Sequence, residues 1–441
     1  MIFPTEPYLE KLYDTAVRND PKAWGGFNAH DPSIFKEGDT YYVFSTDTAI
    51  ERVSAGVQIR KSIDLINWTF VGQVLDGVPA AAYEWTGARG LWAPDLIKVG
   101  DTYYLYYCAS QFGKNRSFIG FATSKSITGP WEDQGEVLKT DHGDPVNAID
   151  PNVQFDTAGN LWMCYGSFWS GISVLQLDKA TGKPLQSGFG KLIAGRHRSV
   201  EGAIEGPYII YHPLFRKYYL FVSYDSLFKD YNVRVGRSDR IDGPYVDSNG
   251  VELTETAGAP WAVGNKILGG YKFGKTPGWI APGHNSILND NGNYYIVHHA
   301  RGDEDPHWHY LHVRKMLWTN DGWPLISPER YAGETEQSVV PEVLPGNWEV
   351  LFLLKANNQQ LVSYPLRFLR DGVIDDGTGI SRWRFTAKNN LILTFYDQKT
   401  KLSTIYESRI LPSWDWENYR PTLVFTGIGP RGVAIWGKKA D

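Results

Sequence analysis

Three carboxylates open three similar segments of this sequence. Asp31 begins DPSIF, Asp150 begins DPNVQF and Glu205 begins EGPYII. Acidic side chains brought to one place repel each other unless their protonation states differ, and a protonated carboxyl group beside an ionised one can serve as general acid and general base. An Asp-Pro pair is also a common turn opener, so the alternative for either aspartate taken alone is a backbone cap. The recurrence of acids at one position of a repeat favours acid–base chemistry.

Two further segments share the pattern without an acid at its start. Ala93 begins APDLIKVG, and His284 follows the first glycine of GHNSILND. Ala93 shows that the repeat itself needs no carboxylate at this position. The five segments begin 55 to 78 residues apart, which is long enough for four short strands and a loop.

Each of the five segments predicts four strands. A polar start and a few apolar residues lead to a tight turn, such as Gly38-Asp39 or Gly100-Asp101, and then to an aromatic strand. A second pair of strands follows, for example VQIRKSIDLINWTFVG in the first copy. Four-stranded units repeated five times are typical of a five-bladed β-propeller, in which the first strand of every blade lines a central channel. The opening residues of the blades are therefore predicted to meet at one end of that channel.

The same pattern divides the chain into two β domains. The propeller is predicted over residues 20–330, and short alternating strands such as WEVLFLL and LILTFYD predict a small β-barrel or sandwich over residues 345–441. The one stretch with helical amphipathicity runs from Tyr8 to Val17. The predicted fold class is therefore all-β.

Composition and charge exclude several functions. Of the 441 residues, 14% are aromatic and 45 are glycine, which suits β structure with many tight turns. The 44 basic and 49 acidic residues give a net charge of −5, too balanced for a nucleic-acid-binding surface. No apolar run approaches the roughly 20 residues of a membrane span. Cys108 and Cys164 lie in apolar aromatic runs that predict buried thiols, with a single disulfide as the alternative.

Six motifs between about Asn28 and Ser327 form a specific set. They are HDPSIF, LWAPD, NAIDPN, YGSFWSGI, IEGPYI and PGHNSI. The set resembles the glycoside hydrolase family 43 enzymes, especially their endo-acting arabinan-degrading members. The resemblance implies a five-bladed propeller and an inverting reaction, in which an acid protonates the leaving oxygen while a base activates water. The C-terminal domain is similar to one appended to some longer arabinanases.

The resemblance assigns a role to the residues that open the blades. Asp31 is implied to be the general base, Glu205 the general acid, and Asp150 a third carboxylate that raises the pKa of the acid and orients it. The segment VEGAIEGP also contains Glu201, but Glu205 is preferred because it aligns with the start of the blade. His284 is implied to hold a central calcium or similar hard cation that is largely coordinated by water. The alternative is a channel histidine bonded only to water.

Aromatic and polar residues beside the blade openings are candidates for substrate binding. An aromatic face can stack on a sugar ring, although the alternative for any one aromatic residue is a place in the core. Gly113 permits close approach of the backbone, and Asn147 and Ser167 match substrate-contacting positions of the family. The predicted substrate-binding residues are Trp92, Phe112, Gly113, Asn147, Ser167 and Trp169, with Phe168 as a further candidate.

A histidine-rich segment, HHARGDEDPHWHYLHV, contains His298, His299, His307, His309 and His312. Alternation along a strand predicts that His307 and His309 share one face, where a zinc site is conceivable. The intervening Asp and Pro residues and the lack of a cysteine partner favour surface or substrate-cleft histidines instead.

The residues and the resemblance together predict a monomeric endo-1,5-α-L-arabinanase acting on plant arabinan or arabino-oligosaccharides, with no nucleic-acid or membrane partner. One alternative is an exo-acting α-L-arabinofuranosidase or β-xylosidase, which would have a closed pocket in place of an open groove. Another is a non-catalytic carbohydrate-binding propeller. The predicted location is extracellular, with the cytoplasm as the alternative because the start, MIFPTEPYLE, lacks the features of a signal peptide.

Overall fold

The computed structural model describes residues 1–48, 54–386 and 389–441. It confirms the predicted all-β fold class, with a five-bladed β-propeller followed by a nearly closed barrel of eight strands. The pattern from Tyr8 to Val17 wrongly indicated a helix, since only a short 3₁₀ turn forms there. Helical structure in the described residues consists of α1 (Ala80–Thr86) and 3₁₀ turns at Thr15–Val17, Pro21–Ala23, Arg198–Val200, Pro341–Val343 and Pro430–Gly432. Within these residues, no helix has the length and apolar character needed to cross a membrane.

The blades are antiparallel sheets whose strands follow one another in chain order. The strands of blades 1 and 2 are β1 (Ser33–Glu37), β2 (Thr40–Ser45), β3 (Gln58–Ser62), β4 (Thr69–Gln73), β5 (Trp92–Val99), β6 (Thr102–Ala109), β7 (Ser117–Ser124) and β8 (Glu132–Thr140). Those of blades 3 and 4 are β9 (Asn152–Phe155), β10 (Leu161–Tyr165), β11 (Ile172–Leu177), β12 (Lys191–Ala194), β13 (Ile204–His212), β14 (Lys217–Tyr224), β15 (Asn232–Ser238) and β16 (Asn265–Leu268).

Blade 5 has four strands and one short extension. The extension, β17, pairs with the start of the innermost strand of the blade, β18. The strands of this sheet are β17 (Tyr271–Lys272), β18 (Trp279–Asp290), β19 (Asn293–Gly302), β20 (His309–Trp318) and β21 (Pro324–Ile326).

A tight turn that contains glycine joins the two innermost strands, as in blade 1. In blade 1, Glu37 pairs with Thr40 across Gly38 and Asp39, and Gly38 has a φ of +58°. A left-handed backbone costs glycine little because it has no Cβ, so a two-residue turn can form here without strain.

Apolar layers between adjacent blades hold the ring together. Phe44 of blade 1 and Leu105 of blade 2 belong to one buried cluster. Val43 of blade 1 and Val297 of blade 5 belong to another, which joins the first blade to the last. The ring is therefore closed by side-chain burial between blades 5 and 1.

Polar groups also join the innermost strands around the channel. Ser33 of blade 1 donates a hydrogen bond of 2.6 Å to Asp95 of blade 2, and Asn152 of blade 3 donates one of 3.0 Å to the other oxygen of Asp95. The backbone N–H of Ile34 donates to Ser286 of blade 5 at 3.1 Å. Because Ser33, Asp95, Asn152 and Ser286 each lie two residues after a blade-opening position, these bonds fix how neighbouring openings sit against each other.

The C-terminal domain is a barrel whose strands alternate apolar and polar residues. Its strands are β22 (Gly346–Phe352), β23 (Leu361–Val362), β24 (Tyr364–Phe368), β25 (Ile374–Asp375), β26 (Arg382–Thr386), β27 (Asn390–Asp397), β28 (Leu402–Asp415), β29 (Arg420–Gly429) and β30 (Val433–Lys439). Strand β30 pairs with β22, and a backbone bond of 3.0 Å from Ile374 to Ser381 joins β25 to the start of β26. Eight of the strands, all except β23, therefore form a nearly closed sheet around Trp348, Phe368 and Phe425.

The two domains are joined by strand pairing and by a buried lysine. Strand β16 of blade 4 pairs with β30, and β17 of blade 5 pairs with β23. Lys438 on β30 places its Nζ 2.8 Å from Glu329 of the connector, 2.8 Å from Asp415 and 2.7 Å from Glu417. This lysine therefore balances part of the charge of three carboxylates at the junction.

Candidate active site

The residues that open the blades share one backbone conformation. Asp31, Ala93, Asp150 and His284 have φ values between +35° and +58°. This left-handed region is uncommon for residues other than glycine. In β5 and β18 the pairing with the next strand also shifts register at this position. The same bend therefore recurs before or within each innermost strand and brings side chains from different blades together.

Blade 4 follows the pattern with a shift of one residue. Its left-handed residue is Gly206, with a φ of +57°, so the alignment that put Glu205 at the blade-opening position was wrong by one. A Cβ on Gly206 would lie only 3.0 Å from Cγ of His284. Glycine thus leaves room for the imidazole, and the acid comes from the preceding residue. Glu205 is buried, whereas the competing Glu201 is exposed.

Asp31 is surrounded by imidazoles. Its Oδ1 lies 2.9 Å from Nδ1 of His30, 3.1 Å from Nδ1 of His284 and 3.6 Å from Nδ1 of His299. Thr46 donates a hydrogen bond of 2.5 Å to the other carboxylate oxygen. Although burial opposes ionisation, the charges of His284 and His30 hold the pKa of Asp31 well below its usual range. Asp31 is therefore ionised and can accept a proton.

Glu205 and Asp150 form the other half of the site. Ser167 donates to Oε2 of Glu205 at 2.7 Å, and the hydroxyl of Tyr231 donates to Oε1 at 2.9 Å. Asp150 accepts a bond of 3.1 Å from the N–H of Gly206. Burial raises the pKa of Glu205, and burial together with repulsion from Glu205 raises the pKa of Asp150 to about 7. The pair therefore retains a proton near neutral pH, as a general acid requires.

His284 is the cationic partner of these acids. Its Nδ1 faces Asp31, and its backbone N–H donates to Ser223 at 2.8 Å. Although burial opposes protonation, the carboxylates of Asp31, Asp150 and Glu205 raise the pKa of His284 to about 9. The four ionisable groups predicted to converge are thus in one site, where the base is ionised and the acid pair shares a proton.

The residues around His284 offer limited ligation for a cation. Nδ1 of His284 is taken by Asp31, while Nε2 has no hydrogen-bond partner among the described residues. His30, Asp31 and His299 offer ligand atoms within 4.8 Å of one another, but both imidazoles already contact Asp31. A cation at Nε2 would replace a proton and would need its remaining ligands from water. The donor set fits the predicted, largely hydrated ion and no closed protein cage.

One predicted substrate-binding residue contacts the acid pair directly, and two others lie in blade 2 or just before blade 3. Ser167 bonds Glu205 directly. Asn147 is buried and accepts a bond of 2.6 Å from Ser117. Trp92 is half-buried at the first position of β5. Ser167 lies in the loop after β10, Asn147 in the loop before β9 and Trp92 on β5.

The other predicted sugar contacts lie on exposed loops. The side chain of Phe112 is 73% exposed, and that of Trp169 is 38% exposed. Gly113 follows Phe112 with a φ of +75° and open space around it, so it allows the turn. The ring of Phe112 makes an edge-to-face contact with Phe228, with centroids 5.9 Å apart. Phe168, beside Trp169, is half-buried.

The histidine-rich segment has another arrangement than predicted. His298, His299, His309 and His312 are buried, whereas His307 is exposed in the turn before β20. Because β20 begins at His309, the expected shared strand face of His307 and His309 was wrong. Among these histidines, His299 contacts the base.

Several residues of the site were not predicted from the sequence. His30 stands next to the base in HDPSIF, a signal that adjacency alone could have supplied. Tyr231 lies in the loop after β14, and no spacing connects it with Glu205. Cys108 accepts the N–H of Asp150 at 3.5 Å, and both cysteines are free and buried, which confirms the thiols predicted from their apolar surroundings.

Comparisons with known proteins cover both domains. A family model described as glycosyl hydrolases family 43 matches residues 26–324, and one described as a C-terminal lipocalin-like domain matches residues 328–437. An extracellular endo-α-(1→5)-L-arabinanase of Thermotoga petrophila is 33% identical over 93% of this chain and 93% of its own length.

Solved structures agree with these similarities. The crystal structure of an endo-1,5-α-L-arabinanase from Thermotoga petrophila RKU-1 has a TM-score of 0.84 and 31% identity, covering 95% of this chain and 99% of that chain. A Cellvibrio cellulosa α-L-arabinanase complexed with arabinohexaose has a TM-score of 0.59 and 32% identity, covering 68% of this chain and 95% of that chain.

Proposed function

The chain belongs to family 43 of the glycosyl hydrolases, and we propose that it is an extracellular endo-1,5-α-L-arabinanase that cuts internal α-1,5 linkages of arabinan with inversion. One observation carries the proposal: Asp31, whose pKa is held low, shares one site with Asp150 and Glu205, whose pKa values are raised. The full-length similarity to endo-arabinanases supports the substrate and the location.

The reaction needs one proton transfer on each side of the scissile bond. Asp31 takes a proton from water as the water oxygen bonds to the anomeric carbon. Glu205 gives its proton to the glycosidic oxygen as the bond between that oxygen and the anomeric carbon breaks. Because attack and departure occur on opposite faces of the sugar, the product has inverted configuration.

The neighbours of each acid keep it ready for its role. Ser167 and Tyr231 hold the two oxygens of Glu205 in place, so its orientation does not depend on substrate. Asp150 lies beside Glu205, and the repulsion between two carboxylates favours a proton on the pair. His30 and His284 stabilise the negative charge of Asp31 before water is activated.

Substrate binding is assigned to residues around these acids. Ser167 and Asn147 would supply hydrogen bonds near the scissile bond, while aromatic faces would stack on the arabinofuranosyl rings. The proposed contacts are Trp92, Phe112, Gly113, Asn147, Ser167 and Trp169.

A hard cation such as calcium is part of the proposal. His284 would hold it through Nε2, with water as the other ligands, and the ion would add positive charge at the centre of the acids. Because such an ion binds the folded channel, calcium is expected to raise the melting temperature of chelated enzyme but not of His284→Ala. An identical melting curve of the wild-type enzyme with and without calcium would contradict this site.

Glu205→Gln tests the assignment of the acid. The amide cannot donate the proton, so hydrolysis of linear arabinan is expected to fall by about 10²- to 10⁴-fold. An aryl arabinofuranoside with a good leaving group needs less protonation and is expected to lose much less activity. The exposed Glu201→Gln is the matched control and should retain wild-type rates. Equal losses on both substrates, or a selective loss in Glu201→Gln, would contradict the assignment.

A further inference from the structure

Two exposed phenylalanines meet across the end of the propeller that carries the acids. Phe112 lies in the loop after β6 of blade 2, and Phe228 lies in the loop after β14 of blade 4. Blades 2 and 4 are separated by blade 3, yet the two rings are 5.9 Å apart in an edge-to-face contact. The loop of Phe228 also carries Tyr231, which bonds Glu205. The contact therefore spans the channel mouth above blade 3, on the side of the acids.

Both loops are anchored near their phenylalanines. The guanidinium of Arg301, a buried residue of blade 5, lies 5.3 Å from the ring of Phe228 and donates to the carbonyl of Leu227 at 2.9 Å. In blade 2, Gln111 donates to the carbonyl of Thr86 at 2.5 Å. The bases of both loops are therefore held in place, and the ring contact joins the loops at exposed positions.

The rings are unusual in their exposure. Phe112 is 73% exposed and Phe228 is 53% exposed, although each touches the other. A contact between two rings that remain largely in water buries little apolar surface, so it can open readily. Open rings could then stack on the faces of sugar rings, which offer both apolar C–H surface and hydroxyl groups.

We propose that Phe112 and Phe228 form an aromatic bridge that must part when an internal segment of arabinan enters the site and then closes on the bound chain. The proposal rests on the proposed function and adds a determinant of polymer access to it. A long polymer has no free end near an internal linkage, so it must pass the bridge sideways. A short oligosaccharide has a free end near every linkage, so it can reach the acids past one side of the bridge without opening it.

A reversible lock tests the bridge. In a Phe112→Cys/Phe228→Cys variant, a bis-methanethiosulfonate spacer would link the two positions, and a thiol reductant would release them. Because Cys108 and Cys164 are buried, the spacer is expected to react at the introduced cysteines. Each single-cysteine variant treated with the same reagent is the control for labelling alone. All rates are compared between the linked and released forms of the same protein.

The lock is expected to separate polymer from oligosaccharide. Linking should lower the initial rate of viscosity loss on linear arabinan by about tenfold or more, because the bridge cannot open. Hydrolysis of arabinotriose should change by less than about twofold, since short substrates can enter without opening the bridge. Reductant should restore the polymer rate. Equal polymer rates before and after release, or equal loss on both substrates, would overturn the bridge.

Removal of one ring gives a second measurement. Phe228→Ala is expected to raise the ratio of the arabinan rate to the arabinotriose rate, whereas Leu214→Ala, an exposed residue in the turn between β13 and β14, should leave that ratio unchanged. A lower or unchanged ratio in Phe228→Ala would contradict the bridge. If the released double-cysteine enzyme and the wild type both fail to cut arabinan, the proposed function itself is wrong, which is distinguishable from a bridge that has no effect.

Discussion

Asp31, Asp150, Glu205 and His284 set one another's charge. His284 and His30 keep Asp31 ionised despite its burial, and the carboxylates in turn keep His284 protonated. Asp150 and Glu205 have raised pKa values because they are buried close together. At the residue scale, function therefore depends on unequal protonation of similar groups.

Asp150→Asn is expected to move the alkaline limb of the pH profile. Activity requires ionised Asp31 and protonated Glu205, so kcat/KM falls as pH rises through the pKa of the acid. The neutral amide removes the repulsion on Glu205, and the pKa of Glu205 should therefore fall. The alkaline limb on an aryl arabinofuranoside should therefore shift to lower pH, whereas the exposed Asp101→Asn should leave it in place. A shift to higher pH would contradict the role of Asp150.

The acids could be found from the sequence because they recur in a repeat, whereas their partners could not. Asp31 and Asp150 stand before proline in similar segments, so comparison of the copies singles them out. Tyr231 and Phe228 lie in the loop after β14, and nothing in the sequence connects this loop with Glu205 or Phe112. Tyr231 reaches Glu205 within blade 4, whereas Phe228 meets Phe112 of blade 2 and Arg301 of blade 5 only when the ring of blades closes.

The start of the innermost strand is the element that positions the site. Four blades use a left-handed residue with a side chain there, and blade 4 uses Gly206. The glycine accommodates His284, and its N–H bonds Asp150. One conformational feature thus serves both halves of the site.

Gly206→Ala should therefore damage catalysis beyond its effect on the backbone. Gly38→Ala is the matched control, since Gly38 has almost the same φ, +58° against +57°, but open space around it. Both changes place alanine in the left-handed region, at a cost of about 1 kcal/mol each. Only Gly206→Ala would push His284 aside, so its kcat/KM on arabinan should fall by about 10²-fold relative to the control. Equal activity of the two folded variants would contradict the positioning role of this element.

Strands and turns could be predicted from local sequence patterns, whereas the structure of two segments, helix α1 and Tyr8 to Val17, could not. The hairpin at Gly38 was predictable because a tight turn requires a residue that tolerates positive φ. Helix α1 was not predicted, because its seven residues are too few for a clear helical period. Tyr8 to Val17 had the period but lacks a helix because packing against neighbouring segments decides such short stretches.

The barrel and the propeller meet through buried charge as well as shared strands. Lys438 contacts Glu329, Asp415 and Glu417 in a cluster from which water is largely excluded. Although burial opposes it, Lys438 lowers the pKa of Glu417 to about 2. At the scale of the whole molecule, this lysine ties the end of the propeller domain to the last strand of the barrel.

Lys438→Met is expected to lower the free energy of unfolding by about 3–5 kcal/mol at neutral pH, because it leaves buried carboxylates without a counter-charge. The deficit should shrink at acidic pH, where those carboxylates become protonated. Lys439→Met is the control, since Lys439 bonds the carbonyl of Val343 and approaches the exposed Asp441, and it should cost no more than about 1 kcal/mol. If the cluster did not stabilise the fold, denaturant unfolding would show the same loss of unfolding free energy for both variants at both pH values.

Endo-acting hydrolysis is tested most directly by measuring viscosity and product size together while the wild-type enzyme acts on linear arabinan. An endo-acting hydrolase with subsites on both sides of Asp31 and Glu205 should lower viscosity in the first minutes and release oligosaccharides before monosaccharide. Xylan should remain intact. Early monosaccharide at unchanged viscosity would contradict endo action in favour of an exo-acting enzyme, and binding without turnover would contradict the assignment of the site to hydrolysis.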